Sequence, residues 1–314
     1  MSLYAVLGAL SQGLVYALMA LGVYLTFRVL DFPDLTVDGS LPLGAAVAAV
    51  MITKGLNPFF TLPVAFAAGM AAGFVTAFLS TKLKILNLLA SILTMIALYS
   101  INIRIMGKPN IPFINQITIF DLFPRATKIM SLLGVNERFL GVALSLTIFA
   151  LIVVGIKIIL DLFLHTDLGL ALRATGDNEN MIRAQGVNTH MTIMLGVALS
   201  NGLVALCGAL VAQDQGLADV TMGVGTIVAG LASVIIGEAL LGEMTVFRAT
   251  LGVVIGSIIY RLAIAFALSL RIGGFVISPS DLKLITAILV VFALMFPTVR
   301  EKVKIGAFRR GGGR

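Results

Sequence analysis

The chain has 314 residues, 59% of them hydrophobic and 12% charged, with a net charge of +7. A soluble domain carries about 25% charged residues, so this composition excludes a soluble globular fold and leaves an integral membrane protein with no room for a sizeable soluble domain. The surplus positive charge clusters after the last apolar run, as Arg300, Lys302, Lys304, Arg309, Arg310 and Arg314; this is the pattern of a cytoplasmic tail that fixes topology and meets anionic lipid, and a nucleic-acid partner is rejected.

The first span is Leu3–Phe27. No Lys or Arg precedes it, and its length of about 25 residues reads as a retained spanning helix rather than a cleaved signal peptide. Arg28–Ser40 follows, with Pro33, three aspartates and Gly39. The next apolar run, Leu41–Ile52, is too short to cross about 30 Å of hydrocarbon as a regular helix. Pro33, Gly39 and Pro42 therefore predict a broken second helix. Irregular backbone at membrane depth survives only where protein covers it or where it lines a water-filled cavity. The stretch 31–40 is accordingly a candidate lining for a pathway, through Asp34, Thr36, Asp38 and Ser40. The alternative is a cytoplasmic connector with solvated carboxylates.

Further spans are predicted at Phe59–Leu79, Leu88–Ile105 and Phe139–Phe163. The turn 81–84, with two lysines, is assigned to the cytoplasm. Gly107–Arg138 is a polar connector with short surface helices expected over 118–133. Lys157 and Asp161 stand one helical turn apart and can pair. Later spans are Met191–Ala212, Val224–Leu241, Ala249–Leu270 and Leu284–Val299. Glu238 in the seventh is read as hydrated near the inner end rather than on a pathway. The expectation is a single transmembrane domain over 1–314, an all-α bundle of about nine (eight to ten) spanning helices. Counting back from a cytoplasmic C-terminus places the N-terminus outside. Ser200–Val204 echoes Ser11–Val15, as an inverted repeat would.

Between the fifth and sixth spans lies Thr166–Met191, the one long polar segment. Gly176 breaks the helical pattern, and Asp177 is predicted to cap a new short helix over Asn178–Gln185, which Gly186 stops. A helix of that length, about 12 Å, spans nothing and needs a surface to lie on. Met181, Ile182 and Ala184 supply its apolar contacts.

Several chemistries are missing from the sequence. There is no GxxxxGK[ST] phosphate loop, no close-spaced metal-binding pair with His165 or His190, and no cluster of intramembrane acids suited to a proton relay. The single cysteine, Cys207, lies in an apolar run and reads as a core residue. No catalytic set, metal or cofactor is expected.

The stretch Gly169–Gly208 resembles the permease subunits of ABC importers of the branched-chain amino acid and ribose class. Their pattern is Gly-x-x-x-Arg-Ala-x-Gly-Asp-Asn, a short helix, then Gly-[IV]-Asn; Gly169, Arg173, Ala174, Gly176, Asp177, Asn178, Gly186, Val187 and Asn188 fit it. The resemblance covers nearly the whole chain. The form FPDLTVDGSLPLGAA resembles a subgroup associated with uptake of amino acids, aromatic ones such as tryptophan or tyrosine among them. The chain departs from some relatives by lacking a further N-terminal span and by having Gly237-Glu238 where a Gly-Gly-like pair is expected. The resemblance implies a pathway-forming, non-enzymatic subunit of an ATP-driven importer in the cell (inner) membrane. It implies a cytoplasmic ABC ATPase, an extracytoplasmic solute-binding protein and a second permease subunit, a homodimer, as partners. It also makes Asp177, Asn178, Glu179, Met181, Ile182, Arg183, Ala184 and Gly186 the coupling segment to the ATPase. The alternative held against it is a self-powered secondary transporter or channel.

Overall fold

A computed structural model of the chain describes residues 3–113, 116–123, 139–242, 244–269, 271–272, 275–276, 284, 286–288 and 290–291. Its first helix, α1 (Leu3–Val23), continues without interruption into a wider π-helical turn, Tyr24–Val29. The chain then leaves helical geometry over 30–36 and re-enters it as α2 (Val37–Thr53). After these come α3 (Pro58–Thr81), α4 (Asn87–Met106), a short strand β1 (Asn110–Pro112) and a 3₁₀ turn (Ile119–Leu122). Helices α5 (Leu140–His165), α6 (Asp167–Asp177), α7 (Glu179–Ala184) and α8 (Thr189–Gln215) follow. The last elements are β2 (Leu217–Asp219), α9 (Thr226–Leu241), α10 (Val246–Ser269) and the short strands β3 (Arg271–Ile272) and β4 (Phe275–Val276).

Among the described residues, six helices are long and apolar enough to cross a membrane, while α2 and α9 are shorter apolar helices. Of the expected ninth span, positions 284, 286–288 and 290–291 are helical and the rest lies outside the described residues, as does the basic tail 300–314. The surface helices expected over 118–133 reduce, in their described part, to the single turn Ile119–Leu122; 124–138 lies outside.

Helix α8 is the axis of the bundle, buried over most of its length, while α3, α4 and α5 turn broad apolar faces outward. Lipid is as apolar as leucine, so close backbone approach rather than hydrophobic exclusion holds such helices together. The glycines show where it happens. A Cβ on Gly44 of α2 would stand 1.8 Å from the Ala205 carbonyl oxygen of α8, and one on Gly208 of α8 would stand 1.9 Å from that of Leu41. Gly69 and Gly73 do the same for α3 against α8, and Gly237 meets Gly252 where α9 crosses α10.

Side-chain bonds set the directions. Cys207 Sγ donates to the Val15 carbonyl at 3.2 Å and Ser200 Oγ to that of Gly22 at 2.7 Å, so α1 and α8 are antiparallel. Gln213 Nε2 donates to Thr61 Oγ1 at 3.1 Å and Ser145 Oγ to Asp214 at 3.0 Å, which places the starts of α3 and α5 beside the end of α8. At this end β1 and β2 pair antiparallel, Ile111 opposite Ala218. The other end gathers the π-helical turn, α6, α7 and the α9 terminus.

Candidate functional site

Two polar constructions stand out in this apolar bundle. The first is the re-entry between α1 and α2. Pro33 has no N–H to give a helix and forces its predecessor to be extended. Asp31 sits in left-handed backbone, φ 51°. Asp34 Oδ1 accepts the Thr36 N–H at 2.9 Å, a side-chain-closed turn that starts α2 at Val37. Gly39 then packs against Met95 and Leu98, the middle of α4, so α2 begins partway along the bundle.

The sequence reading took Pro33, Gly39 and Pro42 as the marks of a broken second helix; of these only Pro33 lies in the non-helical stretch 30–36, while Asp38, Gly39, Ser40 and Pro42 are all helical. Pro42 lies in the second turn, where its missing N–H frees only the Asp38 carbonyl. That oxygen faces Gly223, whose absent side chain leaves it room (a Cβ would stand 2.0 Å away).

Three of the four predicted pathway residues converge. Asn201 Nδ2 donates to Asp34 Oδ2 at 2.6 Å, and Ser40 Oγ donates to Asn201 Oδ1 at 2.6 Å. Thr36 Oγ1 shares a 2.8 Å hydrogen bond with Thr76 Oγ1 of α3. All five side chains are fully buried. Asp38 stands apart from them. Its carboxylate accepts from Gly225 N at 2.8 Å, Ile227 N at 2.9 Å and Thr226 Oγ1 at 3.1 Å. It thus caps the start of α9, satisfying free N–H groups and complementing the helix dipole. Asp38 is half-buried beside exposed Val224, Gly225 and Val228. Sequence reasoning missed Asn201, Thr76 and Thr226. The available signal was Asn201 itself, an amide in the middle of an apolar span that must find a partner.

The second construction is the polar segment. Thr166 Oγ1 accepts from Gly169 N at 3.3 Å and opens α6, an 11-residue helix the sequence reading did not anticipate. Gly176 does not break it, and Asp177 is its last residue rather than a cap. The glycine serves a close approach instead: a Cβ there would lie 2.0 Å from the Val29 carbonyl oxygen. The cap of α7 is Asn178, whose Oδ1 accepts from Met181 N at 3.0 Å, and Gly186 ends the turn in left-handed backbone, φ 88°. Glu179 and Arg183 pair within α7. Thr189, the first residue of α8, accepts from Arg183 Nη2 at 2.9 Å and donates to Glu179 Oε1 at 3.0 Å. Ile182 points inward, 7% exposed, so it anchors α7 to its own chain and is not part of an outer apolar face; Met181, at 48%, and Ala184 are exposed.

Beside α6, a cleft of 790 Å³ is lined by Tyr24, Arg28, Asp31, Arg173 and Asp177. Arg28 bonds Glu238 at 2.8 Å, which places that carboxylate at the polar-segment end of α9. Deeper in the bundle, Lys157 and Asp161 pair as the sequence predicted, but they are buried. Asp161 also accepts from Thr250 Oγ1 of α10 at 2.6 Å, and Lys157 Nζ lies 3.5 Å from the Phe247 ring centre. Among the described residues no group of three His, Cys, Asp or Glu could hold a metal.

Residues 5–297 match the family described as branched-chain amino acid transport system, permease component. The chain is 42% identical over 286 residues to a tyrosine transport system permease protein of Clostridioides difficile, covering 91% of this chain and 89% of that one. It is 26% identical over 276 residues to a probable branched-chain amino acid transport permease protein LivH of Methanocaldococcus jannaschii, covering 86% and 85%. It is 28% identical over 203 residues to the ribose import permease protein RbsC of Escherichia coli, covering 64% and 59%.

Proposed function

The chain belongs to the permease-component family of the branched-chain amino acid transport systems, an ABC-type family, and on that premise we propose that it forms the solute pathway of an ATP-driven amino-acid importer. The solute is an aromatic amino acid of the tyrosine class, a reading supported by the 42% identity to a tyrosine transport permease along nearly the whole chain. Two copies face one another in the cell (inner) membrane, each with nine spans, its second helix broken at 30–36, its N-terminus outside and its C-terminus in the cytoplasm. A solute-binding protein delivers the solute at the β1–β2 end. A cytoplasmic ATPase binds at the other.

The observation that carries the coupling role is the build of α7. Its inner side is locked to the chain by Ile182 and by the Glu179–Arg183–Thr189 network, while Met181 and Ala184 stand outward and exposed. A short helix so braced passes an applied push to α8 and, through α6, to α5. Asp177, Asn178 and Gly186 shape the segment. ATP-driven closure of the ATPase pair thus becomes movement of long helices.

Of the candidate pathway residues, Asp38 and Thr226 stand where solute passes, and Asp34, Thr36 and Ser40 form the joint behind them. A partly exposed carboxylate partway along the bundle is costly against lipid. It requires a water-filled passage or a second subunit in front of it. The test is reconstitution in liposomes with the cognate ATPase and binding protein. Tyrosine uptake that requires ATP and all three components is expected. Uptake by this chain alone on an ion gradient would overturn the reading.

A further inference from the structure

Helix α9 is fastened at both ends to one stretch of the chain. At its start, Asp38 accepts from the N–H groups of Gly225 and Ile227. At its finish, Glu238 in the last turn pairs with Arg28 at 2.8 Å. Between these points α9 is a rod of 16 residues, about 24 Å long. Gly237, the residue before Glu238, lies so close to α10 that a Cβ on it would stand 2.2 Å from the Gly252 carbonyl oxygen. The carboxylate is therefore placed by helix packing. Arg28 and Asp38 bracket the non-helical stretch 30–36.

The Arg28 end is also where the polar segment bears on the bundle. Val29 follows Arg28 in the π-helical turn, and its carbonyl oxygen would stand 2.0 Å from a Cβ on Gly176 of α6. Elsewhere the cleft of 790 Å³ parts the two, with Tyr24, Arg28 and Asp31 on one wall and Arg173 and Asp177 on the other. Helix α6 thus presses on the turn next to the ion pair. Turns of this wider kind interrupt the regular hydrogen-bond ladder and occur most at functional sites. The Arg28 side chain is half-exposed and that of Glu238 is mostly covered. An ion pair so placed adds little to stability; what it fixes is the position of α9.

We propose that Arg28 and Glu238 are a positioning pair for transport, which carries movement of α6 to α9 and so to Asp38 and Thr226. This role rests on 177–186 being the coupling segment, and it adds to the routes through α8 and α5 a third that ends at the pathway. Backbone contact, ion pair and helix make a contiguous series of rigid parts, the kind of network through which distant sites are coupled. Glu238 stands where a Gly-Gly-like pair was expected from the sequence, and this contact gives the carboxylate its purpose.

The test uses the full chain with its ATPase and binding protein in liposomes. Val228, exposed beside Asp38, is replaced by cysteine; the native Cys207 is buried and contributes little background. ATP is expected to change the rate at which a thiol reagent labels Val228→Cys. Adding Glu238→Gln or Arg28→Gln should remove most of that change and lower uptake per ATP hydrolysed at least about fivefold, the lower range for coupling between sites. ATP hydrolysis, ATPase binding and the unfolding midpoint should be kept. Reversing both charges, Arg28→Glu with Glu238→Arg, should restore part of both readouts. A full ATP response and full uptake in the two single variants would overturn the role and leave the importer reading standing. Loss of ATPase binding or a lowered unfolding midpoint in them would mark the pair as structural and overturn it as well. Labelling of Val228→Cys that ATP does not alter, with hydrolysis intact, would overturn it together with the placing of Asp38 on the pathway.

Discussion

Asn201 on α8 donates a 2.6 Å hydrogen bond to Asp34, 167 residues earlier in the chain. With its other amide atom accepting from Ser40, this one side chain fixes both ends of the re-entry between α1 and α2. Asn201→Ala removes the donor to a buried carboxylate and the acceptor for a buried hydroxyl, each worth about 1–3 kcal/mol when orphaned. The variant should unfold at clearly lower denaturant than wild type in detergent. An unchanged unfolding midpoint would show that the joint does not hold the fold.

Asp38 makes a different kind of contact, and its loss should read out differently. Asp38→Ala removes the cap of α9, at a cost of about 1 kcal/mol, while the bundle persists. Asp38→Asn keeps an acceptor for the Gly225 and Ile227 N–H groups and should cost less. In uptake assays both should be impaired, Ala more than Asn, with binding to the ATPase unaltered. Normal uptake in Asp38→Ala would remove Asp38 from the pathway.

The helix crossings make a steric prediction. Gly44→Val drives a branched side chain into the Ala205 carbonyl, and overpacking of this kind costs at least about 1–3 kcal/mol. It should lower expression of folded protein sharply. Gly141→Ala, where nothing lies within 4 Å, is the neutral comparison. Size-exclusion profiles of the two variants decide it.

The buried Lys157–Asp161 pair bridges α5 to α10 through Thr250. Lys157→Met alone strands a buried carboxylate, at about 3–5 kcal/mol. Adding Asp161→Leu removes the stranded charge and should recover much of that loss, since Thr250 Oγ1 still has the Val246 carbonyl at 3.1 Å. A double-mutant cycle on thermal unfolding measures it; simple additivity of the two losses would contradict the pairing.

How much of this was legible in the sequence follows from what each feature depends on. Helices α3, α4, α5, α8 and α10 were readable as apolar runs because length and hydropathy alone decide a span. The Lys157–Asp161 pair was readable because helical spacing fixes it. Helix α6 was not, because Gly176 reads as a breaker until the Val29 backbone is brought against it. The start of α2 at Val37 depends on an aspartate turn, and the survival of Pro42 in that helix depends on Gly223. Asp38 as the cap of α9 rests on residues 187 and 189 positions away. Local pattern announced that 31–40 and 166–190 were unusual, and distant partners determined what each became.

The central claim is that α7 hands the work of a separate ATPase to this chain. It is tested most directly by detergent pull-down of the tagged chain from its native membrane, followed by ATPase assay and identification of what co-purifies. A nucleotide-binding subunit with ATPase activity is expected with the wild-type chain. It should be lost with Met181→Asp combined with Ala184→Arg, while the variant keeps its wild-type unfolding midpoint. Recovery of the folded wild-type chain alone, or retention of the ATPase by the double variant, would contradict the account.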